Sequence, residues 1–221
     1  EPLTISINPR TPAPYTNVTI TIGSTLIDLP SSELSISVDG QVVSEGGRTA
    51  SVRTGGPGSK MTIVARAVTT TKTYEKTLVV IPAQVALIVE PVGTAHPLYA
   101  GAILIAPESR VRLVALPDIR TSAGIQIEKK DLAFTWKLGD QILQDQSGLW
   151  KDVLVATAPV RYRDAEVTVT VTTKDLSISA QTATFISPVD PFARIYKSDP
   201  LGGIDFGNAL SGTFLLAGPE E

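Results

Sequence analysis

LSISVDGQVV (residues 34–43) and FTWKLGDQIL (residues 134–143) are the same β-hairpin written twice, a hundred residues apart. Apolar positions match one for one: Leu34 with Phe134, Ile36 with Trp136, Val38 with Leu138, Val42 with Ile142, Val43 with Leu143. Between the two halves of each lies a two-residue loop, Asp39-Gly40 in the first and Gly139-Asp140 in the second. Such loops close tight hairpins because Gly and Asp tolerate the left-handed backbone that the turn demands. A unit repeated on this scale predicts tandem β-domains.

Working outward from the first hairpin, period-two alternation of apolar and polar residues predicts further strands. They fall near residues 3–7, 18–22, 49–53, 61–68 and 74–81, with the hairpin supplying 34–38 and 41–44. Thr, Val and Ile dominate them, and β-branched side chains suit a pleated, half-buried surface. Turn chemistry separates them: Pro9 to Pro14, Glu45-Gly46-Gly47 and Gly55-Gly56-Pro57-Gly58. No window of ten or more residues keeps a helical apolar rhythm. Seven short strands with frequent turns predict an immunoglobulin-like sandwich.

The second unit repeats that order. ALIVEP (86–91) answers TISINP (4–9), RVRLVAL (110–116) answers NVTITI (17–22), EVTVTVTT (166–173) answers KMTIVARA (60–67), and SAQTATFISP (179–188) answers TYEKTLVVIP (73–82). The offset between units grows from 82 to about 93, then 100, then 106. Each step marks an insertion in a connection, where sandwiches tolerate length changes. The expected division is 1–82, 83–187 and 188–221, with a minimal linker at Ile81-Pro82 that favours a stiff, extended pair. The last segment is too short for a domain. Its alternating stretches at 192–196 and 213–216, around Asp199-Pro200-Leu201-Gly202-Gly203, read as a partial third repeat, a β-hairpin or a tail. The fold class is therefore all-β: two tandem immunoglobulin-like antiparallel β-sandwiches plus this C-terminal piece.

Composition excludes several function classes. The net charge is −3 with no long run of one sign, so there is no basic footprint for nucleic acid. The chain has no cysteine, which removes disulfides, thiolate metal sites and thiol nucleophiles. Its absence leans toward a bacterial or archaeal surface protein, or an intracellular one. The longest apolar stretches, such as 83–89, fall far short of the roughly 18 residues of a membrane helix, so no membrane insertion is expected within this chain. Glu1-Pro2 runs directly into a strand, as a processed or trimmed chain would.

No constellation here is competent for catalysis, and the chain is read as a non-enzyme without catalytic, cofactor-binding or metal-binding residues. Gly55-Gly56-Pro57-Gly58-Ser59-Lys60 lacks the Gly-Lys-Ser/Thr order and the following helix of a phosphate-binding loop. His96 is the single histidine, and no Gly-x-Ser-x-Gly elbow offers it a nucleophile. The acids Asp28, Glu33, Asp39 and Glu45, like Asp131, Asp140, Asp145 and Asp152, fall at turns or polar strand faces, with no calcium-loop spacing. Asn17-Val18-Thr19 fits the glycosylation pattern, which matters only in a glycosylating host. Among aromatics, Trp136 takes the position of a core tryptophan, while Trp150 falls in an extended connection, Gly148-Leu149-Trp150-Lys151, that the first unit lacks. Trp150, with Tyr99 and Tyr162 near other insertions, is a candidate ligand or partner contact; covering a sandwich edge is its structural alternative.

The run of strand, proline turn, Ser-x-Ser-Val-Asp-Gly-Gln-Val-Val hairpin and Val/Thr strand resembles the immunoglobulin-like and PKD-like tandem repeats of bacterial surface and secreted proteins, including multi-unit secreted proteins of candidate-phylum bacteria. The resemblance covers nearly the whole chain and brings no catalytic residues with it. It implies a non-catalytic stalk, spacer or adhesion module, extracellular, at the cell surface or periplasmic, whose partner is a protein or a surface polysaccharide. Two other readings stand beside it: a carbohydrate- or peptidoglycan-binding module, and a subunit that self-associates by β-strand addition through 188–221.

Overall fold

A computed structural model describes residues 2–93, 103–190 and 195–210. The described residues contain no α-helix, only strands and three short 3-10 turns, so none of their helices is long and apolar enough to cross a membrane.

Seven strands build the first sandwich: β1 (Thr4–Asn8), β2 (Asn17–Gly23), β3 (Glu33–Val38), β4 (Gln41–Glu45), β5 (Thr49–Arg53), β6 (Met61–Val68) and β7 (Thr73–Val80). One sheet has the order β1-β2-β5, the other β4-β3-β6-β7, and every ladder is antiparallel. That three-plus-four division, with the third and sixth strands adjacent, is an immunoglobulin-like Greek key in which the fourth strand stays beside the third. Alternation puts Val18, Ile20 and Ile22 of β2 against Leu34, Ile36 and Val38 of β3 and Ile63, Ala65 and Ala67 of β6, all buried. Each fully buried Ile or Leu of such a core contributes on the order of 1.5–3 kcal/mol.

The second sandwich comprises β8 (Gln84–Pro91), β9 (Arg110–Asp118), β10 (Leu132–Leu138), β11 (Gln141–Ile142), β12 (Gly148–Leu149), β13 (Val153–Thr157), β14 (Ala165–Thr173) and β15 (Ser179–Ile186). Its sheets run β13-β9-β8 and β11-β10-β14-β15, the same topology, with β12 added against β10. A separate buried cluster fills it, centred on Leu113, Leu132, Phe134, Trp136 and Leu154. Both hairpin turns form as the sequence predicts. Val38 pairs Gln41 and Leu138 pairs Gln141, with Asp39, Gly40 and Gly139 all at positive φ.

One alignment between the units is corrected by the ladders. Val38 pairs Ile63 and Leu138 pairs Val167, so Val167 is the counterpart of Ile63, two residues earlier than the sequence pattern places it. A slip of two preserves which face each side chain takes, so alternation alone does not register it.

The described part of the C-terminal piece is a β-hairpin, β16 (Ile195–Asp199) with β17 (Gly203–Leu210), and among the described residues these two strands pair only with each other. Its second strand is GIDFGNAL; the alternating stretch at 213–216 lies outside the described residues. Gly, Asp and Asn lower strand propensity there, and the turn is set instead by Asp199, whose carboxylate accepts the Leu201 and Gly202 amides at 2.8 Å each.

Candidate functional site

The inserted connection of the second unit wraps Trp136 and supplies its hydrogen-bond partners. This side chain is fully buried, and burying an indole leaves one N–H that needs an acceptor. Trp136 Nε1 donates to the Lys151 carbonyl at 2.7 Å. The Ser147 hydroxyl accepts the Trp136 amide at 2.9 Å and donates to the Leu143 carbonyl at 2.7 Å. Between these anchors, Gly148 and Leu149 pair with Phe134 and Ala133 and so cover the edge of β10.

Trp150 is left facing outward, 64% exposed, at φ +66. Positive φ is uncommon for so bulky a residue and is held here by two bonds. The Trp150 amide reaches the Leu132 carbonyl at 3.4 Å, and its indole N–H donates to the Lys130 carbonyl at 2.7 Å. The ring borders an open cleft of about 640 Å³ with Leu149, Lys130, Asp131 and Lys174. Charges along the cleft are paired: Lys174 with Asp131 and Lys130 with Glu128, each at 2.7 Å. The hydrogen bond from Lys174 holds the Asp131 carboxyl below its ordinary range, and the bond to Glu128 raises Lys130. The cleft thus offers an apolar ring beside fixed donors and acceptors. It holds no nucleophile with an adjacent base.

Tyr162 lies elsewhere. It is 82% exposed at φ +63, its hydroxyl donates to Asp190 Oδ2 at 3.3 Å, and Arg161 sits over its ring at 5.3 Å. Arg161 Nε also meets Asp190 Oδ1 at 2.7 Å, and the Val189 amide donates to the Ile105 carbonyl at 2.8 Å. Tyr162 therefore fixes the chain where it leaves the second sandwich. It precedes the first residue of β14, whereas Lys174, beside Trp150, follows the last, so the two aromatics are separated by the strand's length, about 30 Å. The structure does not bring them onto one platform. Tyr99 and His96 lie outside the described residues.

The glycine-rich loop at 55–60 runs into strand β6, not a helix, and its role is at the junction of the two units. The Thr54 hydroxyl, buried, donates to the Ala13 carbonyl at 2.7 Å and accepts the Thr16 amide at 3.0 Å, which fixes the loop to the segment before β2. Gly58, at φ +77, donates its amide to the Pro82 carbonyl at 3.1 Å, while the Ala83 amide donates to Pro12 at 3.3 Å. A Cβ on Gly58 would stand 2.5 Å from the Thr121 carbonyl oxygen and 2.9 Å from the Arg120 Cβ. Ile81 packs onto the second core. Sequence reading found the turn but not this contact, because nothing local marks which neighbour a glycine approaches.

The remaining acids serve local structure or face solvent. Asp28 Oδ2 accepts the Ser31 hydroxyl at 2.6 Å, Asp39 Oδ1 accepts the Thr62 amide at 2.7 Å, and Asp152 pairs with Lys129 at 2.6 Å. Glu33, Glu45, Asp140 and Asp145 are exposed. Among the described residues no three His, Cys, Asp or Glu side chains converge as metal ligands.

No family model and no curated protein sequence matches the chain. Among solved structures it is similar to fibronectin(III)-like modules of Clostridium thermocellum CbhA, at 12% identity and TM-score 0.35 over 84% of this chain and 94% of that one. It is also similar to three N-terminal domains of the highly immunogenic outer capsid protein of bacteriophage RB49, at 15% identity and TM-score 0.32 over 84% and 58% of the two chains. A chimeric titin Z1Z2 tandem matches at 10% identity and TM-score 0.29 over 85% of this chain and all of that one. At these scores the likenesses carry no inference about function; strand order and register define the fold.

Proposed function

We propose that this chain is a non-catalytic structural module, a stiff spacer or adhesion segment of a multi-repeat protein at a bacterial cell surface or in the extracellular space, divided into units 1–82, 83–187 and 188–221. The observation that carries the reading is the Gly58 contact. A flexible linker would leave the units free to tumble, whereas here the Gly55–Lys60 loop is bonded to the linker and pressed against the Arg120-Thr121 backbone. A spacer has to transmit orientation, and a linker bonded to the first unit at Gly58 and Pro12, with Gly58 packed against the second, does so. The complete lack of cysteine supports a bacterial setting over a disulfide-rich eukaryotic one. Small-angle scattering tests it. The parent chain should give one narrow distribution of maximum dimension, and Gly58→Val should broaden it without altering the β-sheet circular dichroism. Equal distributions would remove the basis for a stiff joint.

A second reading is favoured by one observation, the exposed Trp150 held in a left-handed conformation beside an open cleft. In that reading the ring stacks on a sugar face of a surface polysaccharide or peptidoglycan, with the Lys130–Glu128 and Asp131–Lys174 pairs offering hydroxyl contacts. A glycan panel bound by the parent chain and lost in Trp150→Ala supports it; binding that survives the substitution removes it.

A further inference from the structure

The two sandwiches differ at one lateral edge. In the second, β8 runs beside β15, so the first and last strands close the side of the sandwich. In the first, the corresponding strands β1 and β7 approach each other over a shorter stretch. A groove of about 450 Å³ opens there, lined by Ile5, Ile7, Leu78 and Val80 of the first sandwich and bordered by Ser177 and Ser179 of the second, with Arg10 exposed on its rim. Among the described residues each of these strands pairs on one side only, β1 with β2 and β7 with β6, so each has an unpaired backbone edge.

The C-terminal hairpin has the opposite deficiency. Ile195, Leu201, Ile204 and Phe206 are at least half exposed, and Tyr196 packs edge-on against Phe206 at 5.4 Å. A two-stranded hairpin is marginal in water and needs a third strand or a covering surface. Asp199 and Asp205, both held below the ordinary carboxyl range by hydrogen bonds from neighbouring amides, keep its ends anionic.

We propose that the hairpin of one molecule adds as strands to the groove between β1 and β7 of a second copy of this chain. Ile204 and Phe206 are two residues apart, as are Ile5 and Ile7, so both pairs repeat at the same spacing of about 7 Å along a strand. Asp199 and Asp205 complement Arg10 on the rim. The donor is a second copy because the hairpin's own attachment points, Val189 and Asp190, are bonded at the end of the second sandwich opposite the groove. The donor and acceptor surfaces differ, so the contact is heterologous and repeats head to tail into an open filament. This goes beyond the spacer reading.

The chain has no cysteine, so introduced thiols report the contact directly. In light scattering across a concentration series, the parent chain should exceed dimer mass at high concentration. Phe206→Asp should remain monomeric with an unchanged circular dichroism spectrum. The double variant Ile5→Cys/Ile204→Cys, which places both thiols on the same face of the added sheet, oxidised at high concentration, should give a ladder of covalent species beyond dimer. A parent chain monomeric at every concentration overturns the proposal and leaves the spacer reading intact. So does an Ile204→Cys single variant trapped quantitatively as a dimer, which would mean hairpin-to-hairpin pairing. An intramolecular disulfide in the double variant, with no ladder, also overturns it and means the hairpin folds back on its own chain.

Discussion

Ile36 and Trp136 occupy equivalent positions on the third strand of their sandwiches, both fully buried, and they impose different demands on the chain around them. Isoleucine brings no polar atom into the core. The first unit can therefore pass directly from its hairpin into a five-residue β4, which pairs with β3 from Val38 back to Ser35. Tryptophan brings an N–H that must find a carbonyl. The second unit shortens the matching strand to two residues and spends the following segment on Ser147, Gly148, Leu149 and Lys151, which satisfy the indole and cover the β10 edge. The segment that exposes Trp150 is thus the same one that satisfies the tryptophan buried at 136.

Breaking the larger core tests that dependence most severely. Trp136→Ala should destabilise the second sandwich by about 3–5 kcal/mol, through the lost ring and the cavity left behind. Transplanting the residue tests the converse. Ile36→Trp places an indole where no counterpart of Lys151 waits, and overpacking with an unmet N–H should cost the first sandwich about 3 kcal/mol. Both tryptophans of the parent chain lie in the second unit, so their fluorescence follows that unit alone while circular dichroism follows both. Resolved urea transitions then assign each loss to its sandwich. If Ile36→Trp is tolerated, the inserted segment is not what makes a core tryptophan possible.

A milder change sharpens the same comparison. Ser147→Ala removes the hydroxyl that joins the Trp136 amide to the Leu143 carbonyl, and should cost about 1–2 kcal/mol in the second sandwich. Its fluorescence maximum should stay blue-shifted, because the ring remains buried. A shift to the red would mean that the segment opens as a unit.

The sequence shows why some of this was readable and some was not. Hairpins at 39–40 and 139–140 carry their own turn chemistry, and alternation marks the core rows of β2, β3, β6, β9, β10 and β14 directly. The two-residue slip at β14 escaped because alternation repeats every two residues. Strand β17 escaped because Gly203, Asp205, Gly207 and Asn208 depress local propensity, and pairing is decided by the Asp199 turn. At the candidate site, Trp150 was marked by the insertion that carries it. Its separation from Tyr162 was not, since both are near insertions in sequence and only the direction of β14 sets them at opposite ends. Gly58 was legible as a turn residue and illegible as a joint, because its tight contact is with a carbonyl sixty-odd residues onward.

The smallest expected effect concerns acid. Asp131 and Asp175 both sit on the second sandwich, at the end bearing Trp150 and the junction. Asp131 is held below the ordinary carboxyl value of 3.8 by its bond from Lys174, and Asp175 by the hydroxyls of Thr173 and Ser177. A carboxyl with a lowered folded pKa contributes stability that is complete above its unfolded value and is lost as pH falls through the folded value. The tryptophan-detected midpoint should therefore decline on acidification below about pH 4, and Asp175→Asn should flatten that decline. Both groups are solvent-exposed, so added salt should shrink the Asp131–Lys174 share in particular and leave the Asp175 share, which rests on neutral hydroxyls, nearly unchanged. A decline of the same steepness in Asp175→Asn would place the acid sensitivity elsewhere in the second sandwich.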